Sequence, residues 1–414
     1  MMIRALASVA ALLLGVAILL TGQGLQGVLL PVRATLESFS TVAIGVIGAT
    51  YFLGFTAGCW MGPDLIRRAG HVRVFAAMTA LASAAPLLHG LWINLWSWGL
   101  LRVISGFCFA VLYVVIESWL NERATNENRG QIFSAYILIN MTVLAVGQQI
   151  LLLDDPQELN LFALASVLVS LAAVPVLMSR AASPHAGEDS PGVDFPALYA
   201  ISPAGMLGSL TSGLTNGAFW ALAAVFAAAQ SGDVSLSAWF MTAVVLGGAA
   251  GQFPLGWLSD RIDRRYVLAS ISVAAGAVGL LVHLIMPGLG KLPLLVAGSI
   301  WGALAFPVYS ISAAHANDRA TPETYIMMSS GLLLMYGLGA VIGPIVASAF
   351  MAWLSERALF LFAALAHLSL ATYVVLRSLR RDPVKPSEHT DFSDALASVV
   401  TASTIYEEEE LSQD

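Results

Sequence analysis

Charge is scarce in this chain. Only 11% of its 414 residues are charged, 58% are hydrophobic and the mean hydropathy is +0.79. Soluble domains carry roughly 25% charged residues, so an ordinary globular core is excluded. Cysteine is scarcer still. Cys59 and Cys108 are the only two, too few for a disulfide framework, and they fall near the end of the second apolar run and within the fourth, which does not favour pairing. Enzyme signatures are missing as well: there is no H-E-x-x-H, G-x-S-x-G or Walker A loop and no paired metal ligands. The seven His are scattered, with only His315 in a polar cluster. No enzyme, cofactor, metal or nucleic-acid role is expected, and an energy source other than ATP is implied.

What the chain has is length in apolar runs. Twelve are long enough to span a bilayer, near 5–30, 40–60, 74–91, 96–120, 131–152, 160–178, 202–229, 236–256, 266–286, 292–313, 325–353 and 358–378. The alternation of a membrane β-barrel is absent. The first run, behind Arg4, lacks a small-x-small cleavage site and is read as a helix rather than a signal peptide. The fold class expected is an all-α membrane protein of twelve transmembrane helices in two pseudo-symmetric six-helix bundles.

Lys and Arg give the orientation. With the N-terminus in the cytoplasm, inner segments carry fifteen of the nineteen, and outer loops carry Arg33, Lys291 and Arg357. Arg102 lies within a helix. Both termini and the connector between halves are therefore expected in the cytoplasm.

The halves are related. Asn317-Asp318-Arg319-Ala320-Thr321 repeats Asn121-Glu122-Arg123-Ala124-Thr125 at 317 − 121 = 196 residues. The same offset carries Asp64 to Asp260, Arg68 to Arg264, Gly106 to Gly302, Tyr113 to Tyr309 and Gly147 to Gly343. Two repeats in a membrane chain are a transporter architecture. The expected division is a bundle over 1–178, a cytoplasmic connector over 179–201, a bundle over 202–380 and a disordered acidic tail over 381–414. The last 33 residues, 382–414, carry nine acids and one Lys, either as a solvated tail or as a partner-binding one.

Polar residues inside the runs are the site candidates. In the fourth, Arg102, Gly106, Phe109, Tyr113 and Glu117 fall on one helical stripe. Arg102 either faces a cavity or snorkels to the interface. Glu117 either couples a proton or pairs with an inner-loop Arg. Gln23 and Gln26 in the first run contact substrate or hydrogen-bond a neighbouring helix, and Asn216 and Trp220 answer them in the seventh. The fifth carries Asn140, Gln148 and Gln149, and the eleventh Gly339-x-x-x-Gly343-Pro344, a packing seam with a kink.

Between the eighth and ninth runs stands Gly256-Trp257-Leu258-Ser259-Asp260-Arg261-Ile262-Asp263-Arg264-Arg265. It resembles the signature loop of the major facilitator superfamily. The earlier copy, around Asp64 and Arg68, departs from it: Trp60 replaces the Gly and Leu65 the first Arg. Arg102-x-x-Ser105-Gly106 resembles that superfamily's fourth-helix motif. Finer strings resemble its YcaD-like branch of bacterial transporters: Arg68-Ala69-Gly70-His71-Val72-Arg73, Glu117-Ser118-Trp119-Leu120-Asn121-Glu122-Arg123-Ala124 and Ala313-Ala314-His315-Ala316-Asn317-Asp318-Arg319. The resemblance covers about residues 1–380.

The resemblance implies a secondary active transporter of the bacterial inner membrane, working by alternating access on a small solute. Arg102, Tyr113, Tyr309, Gln23, Gln26, Asn216 and Trp220 are the expected cavity residues, and Glu117 the expected proton carrier. Asp64, Arg68, Gly256, Asp260, Arg261, Arg264 and Arg265 are the expected conformational latch. Protons, membrane lipid and the solute are the expected partners, and a monomer the expected state. The rival reading is a non-transporting sensor or scaffold that signals through its tail.

Overall fold

The computed structural model describes residues 2–124, 129–178, 194–321, 324–379, 389 and 392. Among these residues twelve helices are long and apolar enough to cross a membrane: α1 Val9–Leu36, α2 Thr41–Ala69, α3 His71–Leu91, α4 Leu95–Arg123, α5 Ile132–Leu153, α6 Asn160–Leu177, α7 Pro203–Ser231, α8 Ser235–Arg261, α9 Arg264–Leu284, α10 Lys291–Asn317, α11 Met327–Trp353 and α12 Ala358–Ser378. The shortest, α6, has 18 residues, or about 27 Å at ~1.5 Å per residue, close to the hydrocarbon thickness. The all-α twelve-helix expectation holds. We call the end bearing the start of α1 and the chain's middle connector the connector face, and the other the distal face.

Several boundaries move. Helix α2 runs on to Ala69 and α8 to Arg261, so Asp64, Arg68, Gly256, Asp260 and Arg261 lie on helices rather than in loops. Each turn is one or two residues long. Gly70, at φ 82°, makes the first without the clash a Cβ would bring, and Asp263 caps α9 in the second. Arg33, expected in an outer loop, is buried in the last turn of α1, where it pairs with Glu37 at 2.7 Å and donates to Pro156 O at 3.1 Å. Connector residues 179–193 lie outside the described residues. The remainder forms a short helix, Phe195–Ile201, whose cap Asp194 accepts from the Ala197 N–H.

The repeat is visible in packing. Helix α4 lies against α2 as α10 lies against α8, and α1 against α5 as α7 against α11. A Cβ on Gly106 would strike the Tyr51 carbonyl, and one on Gly302 the Val244 carbonyl. Gly147 meets Thr21 and Gly343 meets Leu214 in the same manner. With no hydrophobic drive between helices in lipid, such close backbone contact supplies the packing energy. The halves differ in this pair: α4 is unbroken, whereas α10 breaks at Phe306 because Pro307 has no N–H to give.

The two bundles meet through α2 with α11 and α5 with α8. At the distal face one hydrophobic core spans both, joining Leu30, Ile44 and Ile47 to Ala221, Phe226 and Met351. Gln149 Nε2 donates across this seam to Thr242 Oγ1 at 2.6 Å and to Ala238 O at 3.1 Å. Towards the connector face the cores are separate, one wholly N-terminal and two built on the C-terminal bundle. The bundles are joined more tightly at the distal face.

Candidate functional site

Three helices build a polar chain in the N-terminal bundle. Gln23 of α1 donates from Nε2 to the Tyr51 hydroxyl of α2 at 2.8 Å. Its Oε1 accepts from the Tyr113 hydroxyl of α4 at 2.9 Å. The Arg102 guanidinium lies over the Tyr51 ring, 4.1 Å from its centre, so it engages an aromatic face instead of snorkelling. Phe55 packs edge-on to Tyr113. Both polar ends of one amide are used, and that fixes its flip.

One turn beyond Tyr113, Glu117 accepts from the Tyr136 hydroxyl of α5 at 3.3 Å. It is only half-buried, and no cation pairs with it among the described residues. The expected alternative of an Arg partner is not realised there. Tyr113, Tyr136 and Cys59 stand within electrostatic reach of the carboxyl, as does Tyr309 of the other bundle. On that C-terminal side Tyr309 packs on Tyr336 with ring centres 4.9 Å apart, and the buried Asn216 of α7 lies within polar reach of Tyr336. Trp220 packs instead edge-on to Phe219 and at a tilt against Phe306. Gln26 is 2% exposed and its Nε2 meets no partner among the described residues. It does not join the Gln23 chain.

The predicted stripe on α4 thus divides. Arg102, Tyr113 and Glu117 turn to polar partners, while Gly106 and Phe109 pack the bundle. Such an array of hydroxyls, amides and aromatic faces can hold a small polar solute by hydrogen bonding and stacking, and the carboxyl can exchange a proton. Tyr51, Tyr136 and Tyr336 were not among the sequence candidates. A lone Tyr in an apolar run carries no signal until the neighbouring helix is placed.

The two copies of the expected latch are unequal. Arg264 is buried between two carboxylates, Asp318 at 2.7 Å from Nε and Asp260 at 3.1 Å from Nη2, and also donates to Ser259 Oγ. Arg265 pairs with Asp263 two residues back. Burial pushes the Asp263 carboxyl up, but its bonds to Arg265 outweigh this and hold it below the usual carboxylate range. Arg261 lies over Trp257 at 3.8 Å. In the other half Arg68 is exposed, and the exposed Asp64 pairs with Arg67 at 2.5 Å. The matched position of Asp318 is Glu122, also exposed, so it does not draw Arg68 inward.

The profile of the Major Facilitator Superfamily matches residues 205–408, and that of sugar (and other) transporters matches 11–153. A relative from Escherichia fergusonii, described as an uncharacterized MFS-type transporter YcaD, is 27% identical over 85% of this chain and 91% of its own. One from Enterobacter sp. (strain 638), with the same MFS-type description, is 27% identical over 91% and 96%. The nucleoside transporter NupG shares the fold at a TM-score of 0.75, 13% identity and coverage of 90% and 99%. A bacterial homologue of the human lysosomal transporter Spinster, captured inward-facing and occupied, matches at 0.67 with 15% identity over 96% and 97%. With transporter profiles in both halves and MFS-type relatives along most of its length, the chain belongs to the major facilitator superfamily, a family of transporters rather than enzymes.

Proposed function

We propose that the protein moves a small polar organic solute across the bacterial cytoplasmic membrane by alternating access, driven by protons carried on Glu117. The observation that supports this best is the setting of Glu117. It is a carboxyl group inside the bundle, without a cation among the described residues, bonded to Tyr136 and within electrostatic reach of Tyr309 across the halves. A charge in such a medium is costly, so taking up or releasing a proton changes which arrangement of the halves is favoured. The separate cores near the connector face and the single core at the distal face suit a state open towards the connector face. The Lys and Arg bias puts that face in the cytoplasm.

Tyr51, Tyr113, Tyr309, Tyr336, Gln23 and Asn216 are the solute-contacting groups in this reading, and Asp260, Arg264 and Asp318 hold the C-terminal latch. Arg102 is taken up by Tyr51, which favours an uncharged solute with several hydrogen-bonding groups over an anion. Thermal-shift screening of the purified protein against such solutes tests the reading, because a ligand of the folded state raises the melting temperature. A hit lost in Gln23→Leu and Tyr309→Phe supports the site. A hit that both variants retain rejects it.

A further inference from the structure

Two described residues from beyond α12 lie on the C-terminal bundle at its latch. Phe392 is 5% exposed and belongs to the core formed by Val267, Leu268, Ile271, Val308 and Ile311. Its ring covers Gly256, where any Cβ would overlap it. Its backbone N–H donates to both oxygens of Asp260, at 3.1 and 3.3 Å. His389, with a side chain 4% exposed, has Nε2 4.0 Å from Asp318 Oδ2. Asp260 and Asp318 are the two carboxylates that hold Arg264. Three independent contacts, one apolar, one main-chain and one polar, thus converge on one patch.

We propose that the connector-face end of α8 and α9 is a docking surface for the chain's own C-terminal segment, which braces this hairpin as a strap. Gly256 is the seat, because absence of a side chain leaves room for the ring of Phe392. Asp260 is the anchor, because a carboxylate accepts a main-chain N–H strongly and fixes the strap irrespective of side chain. The proposal is independent of which solute is carried.

The test uses the full chain in lipid nanodiscs, with Cys59→Ser and Cys108→Ser and nitroxides at Leu284→Cys and Ser393→Cys. Leu284 is exposed at the far end of α9, in the same bundle as the seat, so rocking of the halves leaves this distance alone. The 21 residues of α9 put the label about 30 Å away, within range of pulsed electron resonance. A narrow distance distribution is expected, broadened in Phe392→Ser and again in Gly256→Leu, and restored in Phe392→Leu. Hydrogen exchange of amides 256–266 should quicken several-fold in Phe392→Ser. A broad distribution in the parent, or a narrow one kept in Phe392→Ser, overturns docking. Unchanged exchange in that variant overturns the brace. Loss of the narrow peak on dilution with unlabelled protein would assign the contact to a second copy and overturn the intramolecular strap.

Discussion

Arg264 donates from Nε to Asp318 Oδ2 over 2.7 Å, and both side chains are almost fully buried. The pair joins the start of α9 to the end of α10, two helix ends 54 residues apart in the chain. Its N-terminal equivalents, Arg68 and Glu122, sit at the same offset of 196 and are exposed.

Arg264→Gln should therefore destabilise the protein by roughly 3–5 kcal/mol, since it strands a buried carboxylate. Arg68→Gln should change stability by less than about 1 kcal/mol, as exposed charges do. Melting temperatures of the two variants in one detergent check this. Equal shifts would mean that the two copies of the proposed latch are equivalent after all.

The Gln23 amide predicts a second asymmetry. Gln23→Leu leaves the Tyr51 and Tyr113 hydroxyls without their partner, at a cost of about 1–3 kcal/mol for each that stays dry. Gln23→Glu keeps an acceptor for Tyr113 but replaces the donor to Tyr51, and should fall between. Gln26→Leu removes an amide whose Nε2 meets no partner among the described residues, and is expected to be neutral or stabilising. Chemical unfolding of the three variants orders them.

Glycine contacts give a third prediction. Gly106→Ala and Gly302→Ala each drive a methyl into a backbone carbonyl of the neighbouring helix and should cost about 1–3 kcal/mol. At Gly99, also inside α4, nothing stands within 4 Å of a Cβ, and Gly99→Ala should gain up to ~1 kcal/mol from helix propensity. Thermal unfolding reads both signs.

Topology supplies a fourth. A thiol placed at position 185, in a chain otherwise free of cysteine, should react with membrane-impermeant reagent only after the cells are opened. Labelling from outside intact cells would invert the orientation given to the connector face.

Much of this was legible in the sequence because bilayer thickness and side-chain period constrain it directly. The twelve spans came from apolar length. The 196-residue offset matched Gly106 to Gly302 and Gly147 to Gly343, and all four stand where helices touch. What stayed hidden depends on how helices rotate against one another. Nothing in the string says that Gln23 reaches both Tyr51 and Tyr113, or that Tyr136 rather than an arginine meets Glu117. Burial of Arg264 follows from Asp318, the residue that closes another helix. The expectation of a disordered tail rested on composition. Of that tail only His389 and Phe392 are among the described residues, and their contacts with Asp318, Gly256 and Asp260 are not legible from composition.

Proton coupling at Glu117 is the centre of the account, and one transport measurement reaches it. Wild-type protein and Glu117→Gln are placed in liposomes with the solute that stabilises the purified protein, with and without an imposed pH gradient. Wild-type protein should accumulate the solute only when the gradient is present. The Gln variant keeps the size and the bond from Tyr136 but carries no titrating group. It should exchange solute at near the wild-type rate and accumulate none. Accumulation by wild type without a gradient, or gradient-driven accumulation by Glu117→Gln, would contradict the assignment.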